Sequence, residues 1–283
     1  MATFFNQATL SYRGSVLASN VATGEIVETL SANKTAVTEE YTRGTAITYA
    51  LNILNSGAAP FAGLTVTDDL GAYAFGDVTL TPLDYEEGSV KLFVNGVLQA
   101  SPAVTAGPPL VFSGISVPAN GVATLLYTAH ANEFAPPTEG SSITNTAVVS
   151  GGGLTSVTVS AAVPAATEPA LSILKSISPA SVPENGQVTY TFELRNAGGA
   201  ATVQTDEVSV TDTFDPLLSD LTVTVDGTAR TAPADYTYNE ASGLFRTVSG
   251  TLTVPAASYT QDPVTGAWST VPGVTVLTVT GTI

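Results

Sequence analysis

In “LTVTDDL” (64–70) every second residue points the same way in hydropathy, apolar against polar, until an acid breaks the pattern. The same alternation runs through “ITYALNILNSG” (47–57), “VTYTFELRNAG” (188–198) and “VSVTDTF” (208–214). A period of two belongs to a strand with one buried face. Gly, Pro, Asn-Gly and Asp-Gly turns separate these runs, and “VNGV” (94–97) and “VDGT” (225–228) have the residues that tolerate the positive φ of a tight hairpin. No segment has helical periodicity. The pattern predicts an all-β chain of short strands folded as β-sandwiches.

The alternating runs are repeated. “LSANK” (30–34) and “ITYALNILNSG” return as “LSILK” (171–175) and “VTYTFELRNAG” at one offset, and “LTVTDDL” returns as “VSVTDTF” after a longer loop. “GISVPA” (114–119) matches “GTLTVPA” (250–256), and “ATLLYTAHA” (123–131) matches “VTVLTVTGT” (274–282). The Ala/Pro-rich “AAVPAATEPA” (161–170) joins the two copies. Such self-similarity predicts two tandem Ig-like sandwiches, at 30–163 and 171–283, with a linker at 164–170.

The copies end differently. After “ATLLYTAHA” the first runs on into “SSITNTAVVSGGGLTSVTVSAAV” (141–163), a strand–turn–strand unit, and after its equivalent strand the second reaches Ile283. The chain opens, however, with “FFNQATLSYRGSVLASNVATGEIVE” (4–28), in which “NQATLSY” parallels “NTAVVSG”. Residues 1–29 are therefore expected to be a spare closing hairpin, and residues 171–283 a sandwich that lacks one. An open sandwich presents unpaired backbone groups that template a further strand. With Phe4, Asn6, Ala8, Leu10 and Tyr12 as the donor strand, residues 1–29 are expected to complete the second domain of a neighbouring copy, because the stretch 22–29 is too short to pass around the intervening domain. Donor and acceptor are different surfaces, so the contact is heterologous and builds an open head-to-tail filament. The alternative is a first strand that belongs to domain 1 and a second domain that is merely truncated.

Six strands carry a polar residue in line with their apolar face: Lys34, Asp68, Asn145, Lys175, Asp212 and Asn6. Burying these groups singly is costly, and gathering them removes much of the penalty. The combination also has a chemistry. A desolvated lysine tends to lose its proton, a buried aspartic acid tends to keep its own, and a neutral amine beside a polarised carboxamide can form an amide and expel ammonia. The candidate isopeptide trios are Lys34, Asp68 and Asn145 within domain 1, and Lys175, Asp212 and Asn6 of another copy. The alternative is a hydrogen-bonded Lys–Asp pair with no covalent step.

Composition narrows the function classes. Eight basic residues against 24 acidic ones leave a net charge of −16, which offers no cationic surface to nucleic acid or to an acidic membrane. There is no cysteine and one histidine, His130, so thiolate and polyhistidine metal sites are excluded. Acidic loops at 84–88 and 204–208 make calcium a minor candidate cofactor, without EF-hand spacing. No run is long enough to insert in a membrane, and “MATFFNQATL” is not a signal peptide. Asp68–Asp69 and Glu86–Glu87 do not form a glycosidase pair, and no G-x-S-x-G turn occurs, so no enzyme is expected beyond a self-catalysed cross-link.

“VTYTFELRNAG…VSVTDTF…VPA” together with “ITNTAVV” resembles the conserved-repeat family called domain of unknown function eleven, over about residues 30–163 and 169–283. The Lys, Asp and Asn positions are similar to those of isopeptide-forming sandwiches in Gram-positive pilins. The resemblance implies Ig-like repeats of extracellular surface proteins, fibres and some endospore appendages. The expectation is thus a structural subunit of a pilus-like filament on a cell or spore surface. The rival is a monomeric cell-surface adhesion or carbohydrate-binding module, with Tyr236, Tyr238, Tyr259 and Trp268 as a loop patch.

Overall fold

A computed structural model of the chain describes residues 2–26, 29–153 and 155–283, and they are all-β apart from a single 3-10 turn at Gln204–Asp206. The chain divides into two units, residues 1–135 with 142–163 and residues 136–141 with 164–283.

Unit 1 opens with a long hairpin. β1 (Ala2–Asn6) pairs with β4 (Ala22–Ile26), and β2 (Thr9–Tyr12) pairs with β3 (Ser15–Ala18). Arg13 and Gly14, at φ 48° and 82°, make the two-residue turn, whose two left-handed residues match the twist of the flanking strands. Ser19 joins the halves: its N–H donates to the Ala8 carbonyl at 2.8 Å and its Oγ accepts from the Ala8 N–H at 2.9 Å. Among the described residues no other strand pairs with this hairpin. Its large apolar side chains, Phe4, Phe5, Leu10, Tyr12, Val16 and Leu17, are all exposed.

The rest of unit 1 is a sandwich of two sheets. Its strands are β5 (Leu30–Ala36), β6 (Ala46–Asn55), β7 (Phe61–Asp68), the small hairpin β8 (Tyr73–Phe75) and β9 (Val78–Leu80), and β10 (Leu83–Tyr85). They continue as β11 (Lys91–Val94), β12 (Val97–Leu98), β13 (Ala103–Thr105), β14 (Leu110–Val117), β15 (Gly121–Ala131), β16 (Ser142–Ser150) and β17 (Val157–Pro164). One sheet runs β12-β11-β15-β6-β5, with β10 also on β15, and the other β13-β14-β7-β16-β17. Alternate residues face inward as the pattern predicts: Ile47, Tyr49, Leu51 and Ile53 of β6 are fully buried, as are Leu64 and Val66 of β7. Asn95 and Gly96, at φ 48° and 78°, form the predicted Asn-Gly turn between β11 and β12.

Unit 2 repeats much of this plan. Its strands are β18 (Leu171–Ser178), β19 (Gln187–Asn196), β20 (Thr211–Thr213), β21 (Ser219–Val225), β22 (Thr228–Arg230), β23 (Tyr236–Asn239), β24 (Leu244–Thr247), the hairpin β25 (Ser258–Gln261) and β26 (Trp268–Val271), and β27 (Gly273–Thr282). The sheet β18-β19-β27-β21-β22 has the order of β5-β6-β15-β11-β12, and Asp226-Gly227 makes its tight turn, both residues at positive φ. The opposing sheet is only β20-β24-β23, matching β7-β14-β13. Among the described residues nothing in unit 2 stands where β16 and β17 stand in unit 1.

One sequence match is corrected by the ladder. Tyr49 lies opposite Tyr127, and its repeat partner Tyr190 lies opposite Val279. The strand after Gly273 is thus one residue out of step with the match of 123–131 to 274–282, and Tyr127 corresponds to Val279 rather than Thr278. The aligned letters were all β-formers, which fit either phase, whereas a one-residue slip would turn every side chain to the other face. Burial agrees with the ladder, since Ala123 is buried and Val274 exposed.

A second shared feature lies at the ends of β6 and β19. The side chain of Asn55 donates to the carbonyls of Ala59 and Pro118 at 2.8 and 2.9 Å and accepts from the Gly57 N–H. Asn196 does the same with Ala200, Pro255 and Gly198, and also accepts from the Ala170 N–H. Both are fully buried, which is tolerable because each spends its amide on loop backbone that would otherwise lack partners. This is why “NSG” and “NAG” recur at the repeat offset.

Candidate functional site

Lys34, Asp68 and Asn145 come from three strands, β5, β7 and β16, and meet in the core of unit 1. Each falls in the inward phase of its strand, so the alternation itself places them there. All three are buried. Lys34 Nζ donates to Asp68 Oδ2 at 2.6 Å and lies 4.8 Å from the centre of the Tyr49 ring. The Tyr127 hydroxyl donates to the same carboxylate oxygen, while Asp68 Oδ1 accepts from the Leu70 N–H at 3.0 Å. Asn145 Nδ2 donates to the Tyr127 hydroxyl at 3.4 Å, and Asn145 Oδ1, also buried, has no hydrogen-bond partner.

Burial sets the electrostatics. Desolvation lowers the pKa of the Lys34 ammonium, against the opposing pull of Asp68 and, more weakly, Asp69. The Tyr127 hydroxyl is pushed well up, first by burial and then by the charge of Asp68, so this phenol holds its proton. Tyr49 moves the same way for the same leading cause. Asp69 points away from the cluster, as its odd phase predicts, and accepts from the N–H groups of Gly71 and Thr146. It fixes the β7–β16 corner rather than joining the site.

Lys175 and Asp212 meet in unit 2, where Nζ donates to Asp212 Oδ2 and lies 4.8 Å from the Tyr190 ring centre. The Lys175 side chain is 43% exposed and that of Asp212 19%, against 0% for both partners in unit 1. The cause is the uncovered sheet. All of β18 is exposed, including the in-phase Leu171, Ile173 and Ile177, whereas its counterpart β5 is half buried. β20 is also short, three residues against eight for β7. In unit 1 the far side of β7 pairs with β16, Ala147 opposite Asp68 and Val149 opposite Val66. Among the described residues β20 has no strand on that side.

Asn6 ends β1 and is exposed, as are Phe4, Ala8, Leu10 and Tyr12. Phe4 and Asn6 share a face of β1, and Leu10 and Tyr12 share a face of β2 with Leu17 opposite Leu10, but Gln7 and Ala8 lie in neither strand, so the expected donor strand from Phe4 to Tyr12 is interrupted there. Ile143, Asn145, Ala147 and Val149 form the same apolar–amide–small–apolar series in β16, and all are buried.

The other candidates separate from these. His130 pairs with Glu86 at 3.1 Å near the surface of β15. Tyr236 and Tyr238 pack on Phe245 and Phe214, and all four of Tyr236, Tyr238, Tyr259 and Trp268 are half buried in strands. Among the described residues no three His, Cys, Asp or Glu side chains converge as a metal site. None of the described helices is long and apolar enough to cross a membrane. The sequence reading missed Tyr49 and Tyr127. Tyr49 had a signal in its repeat partner Tyr190, but Tyr127 had none, because its counterpart is valine.

No family model and no curated protein matches the chain. Solved structures with a similar course include the pilus backbone RrgB from Streptococcus pneumoniae, at 12% identity and a TM-score of 0.35 over 86% of this chain and 55% of that one. They also include a variant of BcpA, the major pilin subunit of Bacillus cereus, at 13% and 0.38 over 96% and 73%. A red sea bream transglutaminase matches at 13% and 0.30 over 88% and 31%. The chain spans about half the length of the RrgB structure it matches. Likenesses at such scores carry no argument about function. Function has to come from this chain's own residues.

Proposed function

We propose that the chain is a structural subunit of an extracellular filament, pilus-like or a spore appendage, in which the N-terminal hairpin of one copy completes unit 2 of the next. The observation that carries this reading is a matched surplus and deficit. Among the described residues, unit 1 carries a hairpin whose strands pair only with each other, and unit 2 has an uncovered sheet and an unpaired edge where unit 1 holds β16 and β17. In sequence the hairpin's Phe4, Asn6, Ala8 and Leu10 follow the apolar–amide–small–apolar series of Ile143, Asn145, Ala147 and Val149 in β16. Asn6 parallels Asn145, so donation in the register of β16 sets Ala8 opposite Asp212 and brings the Asn6 carboxamide to the Lys175–Asp212 pair. Covering Leu171, Ile173 and Ile177 stabilises the joint by about 1.5–3 kcal/mol for each side chain fully buried, and β20 gains its second ladder.

Both clusters then have the parts of a Lys–Asn isopeptide bond. In unit 1 the amine, carboxyl and carboxamide are buried together within one chain, so that bond ties β5 to β16. In unit 2 the carboxamide comes from the neighbour, so that bond welds one copy to the next. The filament is a homopolymer and needs no nucleic acid, membrane insertion or cofactor.

The test is removal of residues 1–20 followed by electron microscopy and thermal melting. The expected result is single particles in which unit 1 melts as in the full chain and unit 2 melts earlier. Filaments of normal length from the shortened chain would contradict the reading.

A further inference from the structure

The carboxylate and the carboxamide in unit 1 are connected through a third group. Asp68 Oδ1 is occupied by the Leu70 N–H, and Oδ2 takes Lys34 Nζ and the Tyr127 hydroxyl. The Asn145 amide reaches that hydroxyl, at 3.4 Å. The phenol therefore stands between the acid and the nitrogen that would leave. Tyr127 has no structural reason to be hydroxylated apart from these contacts, since its ring is fully buried between Tyr49, at 5.5 Å between centroids, and Phe112, at 5.1 Å.

We propose that the Tyr127 hydroxyl is the proton relay of the unit 1 cluster, passing a proton from Asp68 to Asn145 Nδ2 as Lys34 displaces ammonia. This rests on the isopeptide reading above. Lys34 first gives a proton to Asp68, a transfer that burial favours because it removes two charges from the core. The free amine bonds to Asn145 Cγ. Tyr127 gives its proton to Nδ2 and takes the one on Asp68, and Asp68 takes the surplus proton of the attacking nitrogen. The Cγ–Nδ2 bond breaks. One C–N bond forms and one is lost, a primary amide becomes a secondary amide, one ammonia leaves, and Asp68 and Tyr127 both finish protonated. No oxidant or cofactor enters.

Unit 2 has no such relay, because Val279 stands where Tyr127 stands. Asp212 has to meet the incoming carboxamide directly. The covalent step between copies then depends on how closely the donor strand seats, while the step inside unit 1 is fixed by the fold.

The experiment follows the Lys34–Asn145 peptide by mass spectrometry in freshly refolded full-length protein and compares Tyr127→Phe with Tyr85→Phe. Removing a general acid–base group costs about a hundredfold or more in rate, so Tyr127→Phe is expected to fold, by its melting curve, and to cross-link at least that much more slowly. Tyr85→Phe, which removes a buried phenol that has no hydrogen bond to the cluster, keeps the normal rate. If Tyr127→Phe is folded and cross-links at the normal rate, the relay is wrong and the isopeptide reading stands. If the unsubstituted protein never forms the bond, the isopeptide reading of unit 1 fails and takes the relay with it. Should Tyr127→Phe not fold, 3-fluorotyrosine placed at position 127 keeps the shape with a more acidic phenol: a changed rate supports the relay and an unchanged one overturns it.

Discussion

The same lysine–aspartate pair occurs in both units, buried in one and half exposed in the other. Lys34 and Asp68 sit at 0% side-chain exposure beneath β16, while the Lys175 side chain is 43% exposed. The placing of the lysines does not account for this, since β5 and β18 hold them alike and both nitrogens lie 4.8 Å from a tyrosine ring. What differs is the cover. Two strands convert a surface ion pair into a core cluster with lowered lysine basicity, and the chain carries a hairpin with the pattern of those strands at its other end. The two sites share the lysine, the aspartate and one tyrosine, and differ in the cover of β16 and in the residue at Tyr127, which is Val279 in unit 2.

The strongest way to break this comparison is to spoil the hairpin's face. Leu10→Asp places a charge where Val149 is buried in the parallel strand, and assembly should be lost outright, while the melting of unit 1 stays put. A synthetic peptide of residues 2–18 added to the chain lacking 1–20 should raise the melting temperature of unit 2 alone. An equal rise in unit 1, or none in either, would sink the assignment of the groove.

Next in size is the contrast between the two lysines in unassembled protein. Lys34→Ala strands Asp68 in the core and should cost about 3–5 kcal/mol. Lys175→Ala removes a screened, half-exposed partner and should cost no more than about 1 kcal/mol. Chemical denaturation of each variant measures both, and equal losses would mean that cover does not set the difference. The Lys175 variant should still assemble, but its fibres should come apart in hot detergent.

The two loop asparagines come third. Asn55→Ala and Asn196→Ala each leave buried loop carbonyls without a donor, a loss of about 1–3 kcal/mol per unsatisfied group, and Asn196→Ala should cost the more because it also strands the Ala170 N–H. The smallest effect is that of pH. The lowered pKa of Lys34 means that the unfolded chain binds more protons than the folded one between that pKa and the ordinary lysine value, so this group adds stability as pH rises through the window. Above the ordinary tyrosine range the raised Tyr127 works the other way, because the folded state keeps a proton the unfolded state releases. The cross-linking rate in unit 1 should stay level with pH as long as Lys34 and Asp68 hold their shared proton, because the amine is freed by transfer within the pair, and should fall once alkali takes that proton away; a rate that climbs with pH would argue against the internal transfer.

Much of this was legible in the sequence because the alternation has a period of two and the signal is a violation of it. Lys34, Asp68 and Asn145 read as polar residues in apolar phase, and the fold buries all three. The Asn-Gly and Asp-Gly turns were equally readable, since few residues accept left-handed φ at both turn positions. The register of β27 was not readable, because Val and Thr serve either face of a strand and only the ladder to β19 fixes which. Tyr127 was hidden for a related reason: its meaning depends on three strands meeting, and its repeat partner is Val279. Asn55 and Asn196 had a repeat signal but no chemistry to draw attention to them.

The central claim is that one copy's hairpin fills the next copy's unit 2, and the most direct measurement is denaturing electrophoresis of boiled protein with peptide mass spectrometry on each band. The account predicts a ladder whose rungs contain a peptide pair joining Lys175 to Asn6, lighter than the sum of its parts by one ammonia. A single monomer band from a sample that also shows only isolated particles by electron microscopy before boiling would contradict it.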